Sequence, residues 1–159
     1  MHQQQQEKTD HDFMALARAQ AYKSYENGSF PIGSVLVRNG EVIAEGRNKM
    51  LEIQDITSHS ELECLRASGL QETFIDTILY TTLSPCLMCT GAILQFKIPR
   101  VVIGNHVTIE GNEELLRHKG VEVVILDDQE CQDIVLKYSK ENVEKWTRSK
   151  GDFSKKGDL

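Results

Sequence analysis

Residues 77–104 read TILYTTLSPCLMCTGAILQFKIPRVVIG, and this stretch decides the fold. The runs TILYTTL and RVVIG are rich in β-branched and apolar residues, as expected of strands that are buried on both faces. The segment between them, CLMCTGAILQF, predicts a helix. Because a strand–helix–strand crossover within one sheet is right-handed, the two strands should lie parallel with the helix packed on one face.

The flanking segments extend this pattern in both directions. Upstream, DFMALARAQAYKSYENG predicts a helix capped by Asp12, and SVLVRNGEVIAEG predicts a hairpin that turns at Asn39-Gly40. SHSELECLRASG predicts a short helix that ends at Gly69. Downstream, a helix, a strand and a final helix are predicted for EELLRHKG, VEVVIL and QECQDIVLKYS. The predicted fold class is therefore α/β, a three-layer α/β/α sandwich on a mixed five-stranded sheet.

Length and composition predict one globular domain. The chain has 159 residues, of which 40% are hydrophobic and 26% are charged, and a chain of this size can bury a core without disulfide bonds. We expect a disordered polar N-terminus over residues 1–10, the domain over residues 11–150 and a flexible tail over residues 151–159.

The sequence has no feature that indicates a membrane or secreted protein. No apolar run approaches the ~20 residues that span a bilayer, and the N-terminal MHQQQQEKTDHD lacks the apolar segment of a secretory signal. We therefore expect a cytoplasmic protein whose thiols stay reduced. The net charge of −6 argues against a nucleic acid as the main partner. The lysine-rich stretch 137–156 is interpreted as a solvated helix face and tail.

Cys86 and Cys89 lie one helical turn apart at a predicted helix start, directly after Pro85. At that position both sulfurs can point the same way, and helix-terminal N–H groups favour thiolates. The spacing alone is compatible with a metal site, a thioredoxin-like redox pair, a disulfide or core packing. Cys64 and Cys131 lie on other predicted helices and are expected to be small core residues.

The segment SHSEL supplies the complement to the two cysteines, His59 and Glu61 in an H-x-E arrangement. One imidazole and two thiolates make three zinc ligands, which leave the fourth tetrahedral position open for water, as in catalytic sites. Zinc lowers the pKa of such a water from about 15.7 to about 7, and a carboxylate beside it can relay protons. A redox domain needs neither His59 nor Glu61. Because H-x-E followed by P-C-x-x-C is a known pattern of zinc deaminases, we predict a hydrolytic zinc site with Glu61 as the catalytic acid–base group.

From SFPIG to VEKW, the chain resembles the cytidine and deoxycytidylate deaminase superfamily, and within it the fungal-type free-base cytosine deaminases. LYTTLSPCLMCTGAIL is the most specific part, and FKIPRVVIGNHV and VVILDDQEC extend it. The resemblance implies the α/β/α fold, bound zinc, a homodimer and hydrolytic removal of an exocyclic amine as ammonia. It places zinc on His59, Cys86 and Cys89 and the proton shuttle on Glu61.

The resemblance also implies substrate contacts. Asn48 matches an asparagine that hydrogen-bonds the ring edge of the substrate, and the backbones of Ser60 and Ser84 line the same pocket. Trp146 matches an aromatic residue in the C-terminal segment that covers the bound base. The residues expected to close over the ring faces are Ile32, Ile109 and Trp146.

Several positions depart from the cytosine deaminase pattern. Ile109 replaces a phenylalanine that stacks on the base, Ser149 stands where an aspartate contacts the amine, and Ser60 replaces a smaller residue. Asp152 lies three residues beyond Ser149 and is a candidate substitute for that aspartate. His106 follows a predicted parallel strand and is interpreted either as a substrate contact or as an exposed loop residue.

The predicted function is zinc-dependent hydrolytic deamination of a small amino-heterocycle, with cytosine as the first choice of substrate and pyrimidine salvage as the role. The alternatives are deamination of guanine, creatinine or another cyclic amidine, deamination of adenosine in tRNA, and a non-catalytic binding subunit on the same fold. A tRNA deaminase requires a basic surface for phosphates, which the charge of −6 disfavours. A non-catalytic subunit would typically lack Glu61.

Overall fold

The computed structural model describes residues 6–107 and 112–149 and contains helices α1–α7 and strands β1–β5. The helices and strands are α1 Asp10–Glu26, β1 Gly33–Arg38, β2 Glu41–Arg47, α2 Met50–Ile53, α3 Ser60–Ser68, β3 Thr77–Leu83, α4 Leu87–Gln95, β4 Arg100–Asn105, α5 Glu113–His118, β5 Glu122–Ile125, α6 Gln129–Glu141 and α7 Val143–Ser149. Helices α2 and α7 were not predicted as separate elements. Of the described helices, none has the length and apolar character needed to cross a membrane.

The five strands form one mixed sheet in the order β2-β1-β3-β4-β5. Strand β1 is antiparallel to both β2 and β3, whereas β3, β4 and β5 are parallel. The β1–β2 hairpin turns at Asn39 and Gly40, whose φ angles of 49° and 76° are those of a tight primed turn. The predicted mixed five-stranded sheet is confirmed.

Helices cover both faces of the sheet. Alternate residues along each central strand point to opposite faces, so Leu79 and Tyr80 of β3 belong to different cores. Helices α1 and α6 pack on one face, and α3, α4 and α5 pack on the other. The first core includes Phe13, Met14, Ala17, Tyr80, Val102 and Cys131, and the second includes Cys64, Leu79, Ile93, Ile103 and Leu116. The α/β/α sandwich and the core positions of Cys64 and Cys131 are thereby confirmed.

The first helix begins three residues earlier than predicted. Thr9 is its N-cap, and Asp12 closes a capping box by accepting a 2.8 Å bond from the Thr9 N–H. The prediction of Asp12 as the cap was therefore wrong. The Asp10 carboxylate forms two hydrogen bonds with the Arg100 guanidinium, at 2.9 and 2.8 Å. The folded body thus includes Thr9 and Asp10, at the end of the predicted polar lead-in, whereas residues 1–5 and the tail 151–159 lie outside the described residues.

One edge of the sheet gathers the segments that carry chemistry. Strand β3 ends at Leu83, and α4 begins four residues later at Leu87. The Ser84 N–H donates to the carbonyl of Asn105, the last residue of β4, at 2.9 Å. Helix α3 begins beside them at Ser60. In open α/β sheets, ligands bind outside the carboxyl ends of the strands, so this edge is the expected place for a site.

Candidate active site

Three ligand atoms of the predicted zinc site converge at this edge. His59 is the N-cap of α3, Cys86 is the N-cap of α4, and Cys89 lies in the first turn of α4. Their ligand atoms all lie within 4.8 Å of one another. The Nδ1 atom of His59 is 3.4 Å from the Cys86 sulfur and 3.7 Å from the Cys89 sulfur. All four cysteines are free thiols, which excludes a Cys86–Cys89 disulfide in this structure.

These separations fit a zinc ion. With Zn–N near 2.0–2.1 Å and Zn–S near 2.3 Å, a tetrahedral ion holds nitrogen and sulfur ligands about 3.6 Å apart. Among the described residues, the His59–Cys86–Cys89 set is the group of His, Cys, Asp and Glu side chains positioned to hold a metal ion. The set supplies three ligands of the type that zinc prefers, one imidazole and two sulfurs.

The charges within the cluster also favour a bound cation. A hydrogen bond from the Cys89 thiol and a second from His59 lower the pKa of Cys86 to about 4. The pKa of Cys89 is raised, because it shares the bond with Cys86, is buried and lies beside the Glu61 carboxylate. Burial opposes a charge on His59, but the bond to Cys86 and the charge of Glu61 raise its pKa. A bound cation would offset the negative charges of Glu61 and the two sulfurs and would favour the thiolate form of both cysteines.

Cys86 reaches this geometry because it replaces a conventional helix cap. Its backbone is extended, with φ −66° and ψ 173°, and its sulfur accepts from the Cys89 N–H at 3.5 Å. The sulfur therefore occupies the place that a Ser or Asp oxygen takes at other N-caps. Both sulfurs consequently face the same point at the N-terminal end of α4.

Glu61 lies in the first turn of α3 and is 4% exposed. Its Oε1 atom accepts hydrogen bonds from the hydroxyls of Thr81, at 2.6 Å, and Ser60, at 3.3 Å. Its carboxylate is close enough to the Cys89 sulfur to raise the pKa of that thiol. Glu61 is therefore a fixed, buried carboxylate beside the metal-ligand cluster.

Asn48 is held with its amide donors free. It is 2% exposed, and its Oδ1 atom accepts from the Met50 N–H and the Ser29 hydroxyl, each at 3.1 Å. Because a backbone N–H can only donate, the bond from Met50 identifies that atom as the oxygen. No side chain or carbonyl of the described residues accepts from Nδ2, which leaves this group available to a ligand. The role of Asn48 in substrate binding stays a prediction.

The two predicted serines differ in their surroundings. The Ser60 hydroxyl bonds the Ser34 hydroxyl at 2.8 Å in addition to Glu61, so its side chain is occupied. The Ser84 hydroxyl is buried two residues before Cys86, and among the described residues it has no hydrogen-bond partner. The Ser84 hydroxyl is therefore available to a ligand.

Trp146 and Ile32 belong to an aromatic cluster next to the site. The centroid of the Trp146 ring lies 6.0 Å from that of Phe30 and 6.3 Å from that of Tyr138, in edge-to-face geometry. Leu83, which precedes Ser84, belongs to the same cluster, and Ile32 packs against it. Helix α7 therefore lies beside the segments that lead to the site.

The remaining predicted substrate contacts are placed differently. His106 is at the exposed end of β4, where its Nδ1 atom is 2.8 Å from the Glu113 carboxylate. Ile109 and Asp152 lie outside the described residues, and Ser149 is the last residue of α7. Whether His106, Ile109 or Ser149 contacts a substrate stays a prediction.

Three polar residues that were not predicted from the sequence, Ser29, Ser34 and Thr81, hold the site together. Their contacts are with Asn48, Ser60 and Glu61, respectively. For Thr81, the sequence does indicate that the hydroxyl has a partner. It lies within TILYTTL, a strand predicted to be buried on both faces, and a hydroxyl buried there must find a partner.

Comparison with known proteins agrees with this site. A family model described as the cytidine and deoxycytidylate deaminase zinc-binding region matches residues 7–105. The chain is 42% identical over 142 residues to the cytosine deaminase of Candida albicans, a match that covers 87% of this chain and 95% of that protein. It is 40% identical over 98 residues to the tRNA-specific adenosine deaminase of Buchnera aphidicola, covering 60% of this chain and 65% of that protein.

A solved structure supports the same assignment at the level of the fold. It comes from a study of A-to-I editing by tRNA:A34 deaminases at the wobble position of transfer RNA. The two chains superpose with a TM-score of 0.70 at 33% identity, over 77% of this chain and 97% of that chain. By sequence, site and fold, the chain belongs to the cytidine and deoxycytidylate deaminase family, and its His59, Cys86 and Cys89 are positioned to bind a metal ion.

Proposed function

We propose that the protein hydrolyses cytosine to uracil and ammonia. The observation that carries this proposal is the extent of the match to the Candida albicans cytosine deaminase, 87% of the chain, against 60% for the tRNA-specific adenosine deaminase. That match, over 142 residues, is longer than the zinc-binding region, which covers residues 7–105. The similarity therefore extends beyond the part of the chain that contains the catalytic motifs.

The packing of helix α7 supports a small substrate. Trp146 of α7 joins Phe30, Met50 and Leu83 in one apolar cluster, and Met50 and Leu83 flank the segments that carry Asn48 and Ser84. Aromatic residues around such a site enclose a free base, whereas a polynucleotide needs an open basic surface. The net charge of −6 also favours a small neutral base over RNA.

Each site residue has a task in this reaction. His59, Cys86 and Cys89 would hold a zinc ion, which would supply Lewis-acid activation of water. Glu61 takes a proton from the attacking water, passes it to the ring nitrogen, and then passes the second water proton to the departing amine. The reaction thereby consumes one water and releases one ammonia for each base.

The substrate is held by the residues around Glu61. The free Nδ2 group of Asn48 donates to the ring edge, the backbones of Ser60 and Ser84 complete the polar wall, and Ile32 and Trp146 cover the ring faces. His106 is a further proposed substrate contact, whereas Ile109, proposed for the same role, lies outside the described residues. The protein acts in pyrimidine salvage as a cytoplasmic homodimer, without a nucleic acid partner.

Ammonia release across a panel of amines tests the proposal. Cytosine should be turned over in preference to cytidine, guanine, creatinine and a tRNA anticodon stem-loop. Preference for guanine or creatinine would assign another free base, and a salt-sensitive reaction with the RNA would assign tRNA editing.

A pair of variants on one helix tests the role of Glu61. Glu61→Gln should keep the fold and the zinc but lose about 10²–10⁴-fold in kcat. Glu63→Gln is the matched control, because Glu63 pairs with Arg66 and Ser58 instead of facing the metal ligands. Full activity of Glu61→Gln, or equal losses in both variants, would contradict the assignment.

A further inference from the structure

Among the residues that the structure describes, hydroxyl groups contact the Glu61 carboxylate at one of its two oxygens only. Thr81, in the middle of β3, donates to Oε1 at 2.6 Å, and Ser60 donates to the same oxygen at 3.3 Å. The Ser34 hydroxyl, from β1, lies 2.8 Å from the Ser60 hydroxyl. Ser34, Ser60 and Thr81 have no exposed surface. We call these three residues the hydroxyl cluster.

The directions of these bonds follow from the number of protons. A hydroxyl has one proton to donate, so Ser60, which donates to Glu61, must accept from Ser34. Thr81 also lies 3.3 Å from the Leu83 carbonyl, but its bond to Glu61 is much shorter and has a charged acceptor, which makes it the stronger one. Both donors to Glu61 thus converge on Oε1, and neither reaches Oε2.

We propose that the hydroxyl cluster is a positioning device that divides the work between the two Glu61 oxygens, with Oε1 as the anchored atom and Oε2 as the proton carrier. The proposal rests on the function proposed for Glu61 above. Each proton taken from water binds Oε2 and leaves from Oε2, while Oε1 accepts the same two hydroxyls throughout. No hydroxyl has to turn during the reaction, so the site is preorganised for both proton transfers.

A purely structural role makes a different prediction. If the hydroxyls served only to satisfy a buried carboxylate, their loss would lower stability but leave the reactive position of the carboxylate unchanged. A positioning role requires that kcat falls while KM and zinc content stay constant, because the substrate and the metal are bound by other groups.

Substitutions at two threonines of β3 separate these roles. Thr81→Val removes the hydroxyl at nearly constant volume, and Thr81→Ser keeps the hydroxyl while removing the methyl group. Thr77→Val is the matched control, because Thr77 is equally buried and donates at 2.6 Å to the Phe74 carbonyl at the far end of the same strand. We expect Thr81→Val to lose about 10- to 100-fold in kcat at unchanged KM and full zinc content. Thr81→Ser and Thr77→Val should stay within about threefold of the wild type.

Crystal structures of the zinc-loaded proteins supply a readout that is independent of activity. The Glu61 carboxylate should be rotated or split between two positions in Thr81→Val and unchanged in Thr81→Ser. If Thr81→Val fails to fold, Ser34→Ala tests the other branch of the cluster, with a smaller loss of kcat and a displaced Ser60 hydroxyl.

An undisturbed carboxylate with full kcat in Thr81→Val would overturn the proposal, as would equal losses in Thr81→Val and Thr81→Ser. The proposed function fails separately, if the wild-type protein releases ammonia from none of the panel. In that case the position of Glu61 in the Thr81→Val crystal still decides whether the hydroxyl cluster holds it.

Discussion

Gly46 controls how closely α3 approaches the sheet, and Gly46→Ala should therefore disturb both stability and catalysis. A Cβ atom at this position would lie 2.3 Å from the Cys64 nitrogen and 2.4 Å from the Ser60 carbonyl oxygen. Both are backbone atoms of α3, so no side chain can turn aside to make room. Because ordinary contact begins at 3.4 Å, the helix would have to move away from β2 by about 1 Å.

The size of the effect follows from that displacement. Overpacking of a tight interface costs about 1–3 kcal/mol in the free energy of unfolding. The same helix carries Glu61 and begins directly after His59, and a 1 Å misplacement of a reacting group can reduce the rate about 10²-fold. Gly46→Ala should show both losses, measured by urea denaturation and by kcat for ammonia release.

Gly91→Ala is the matched control. Gly91 is an exposed residue in the middle of α4, and a Cβ atom there would have no neighbour within 4 Å. Because alanine favours the helix, this variant should keep its activity and gain about 0.5–1 kcal/mol in stability. If Gly46→Ala were within about 0.5 kcal/mol of the wild type and fully active, the argument from close approach would be refuted.

Substitutions at three other places separate ligand, packing and charge effects. Cys86→Ser should abolish stoichiometric zinc binding in metal analysis, whereas Cys131→Ser, in the opposite core, should retain it; a zinc-loaded Cys86→Ser protein would contradict the ligand set. Tyr138→Phe should leave the free energy of unfolding unchanged or raise it by up to ~1 kcal/mol, because the Tyr138 hydroxyl is buried with no partner among the described residues. A loss of stability would reveal a partner. A hydrogen bond from Arg100 holds the pKa of Asp10 below its ordinary value of 3.8, so this stabilisation is complete above that pH and is lost as the pH falls through the lower folded-state pKa. The stability deficit of Asp10→Asn, measured by urea denaturation, should therefore be largest near neutral pH and shrink as the pH falls below 3.8; a constant deficit would show that the ion pair is not its source.

Patterns within single segments predicted most of the fold. The apolar runs on either side of the two cysteines became the parallel strands β3 and β4, and Asn39-Gly40 became the hairpin turn. Helix α2 was missed because its four residues, Met50–Ile53, are too few to establish a helical period. The predicted cap was misplaced because Thr9 and Asp12 both suit helix starts, and only the reciprocal bonds distinguish them.

The site likewise contains features with a local sequence pattern and contacts between distant segments. The convergence of His59, Cys86 and Cys89 was predictable, because H-x-E and C-x-x-C are local spacings that a helix start converts into geometry. The contact of Thr81 with Glu61 joins residues 20 positions apart on different elements, and it depends on which strand lies under which helix. A single sequence contains no local pattern that specifies such a pair. The same holds for Ser34 and Ser60, which come from β1 and α3.

The position of the site along its two helices has a further consequence. His59 and Cys86 precede the helices, and Glu61 and Cys89 lie in their first turns, whereas Cys64 and Ile93 in the helix bodies are core residues. The residues proposed to carry the chemistry therefore lie at helix starts, whose placement is set by the packing of the helix bodies. A substitution at a helix start replaces a proposed metal ligand at a fixed position and should lower the zinc content. A substitution beneath a helix body, as at Gly46, displaces unchanged site residues and should lower kcat while the zinc content stays constant.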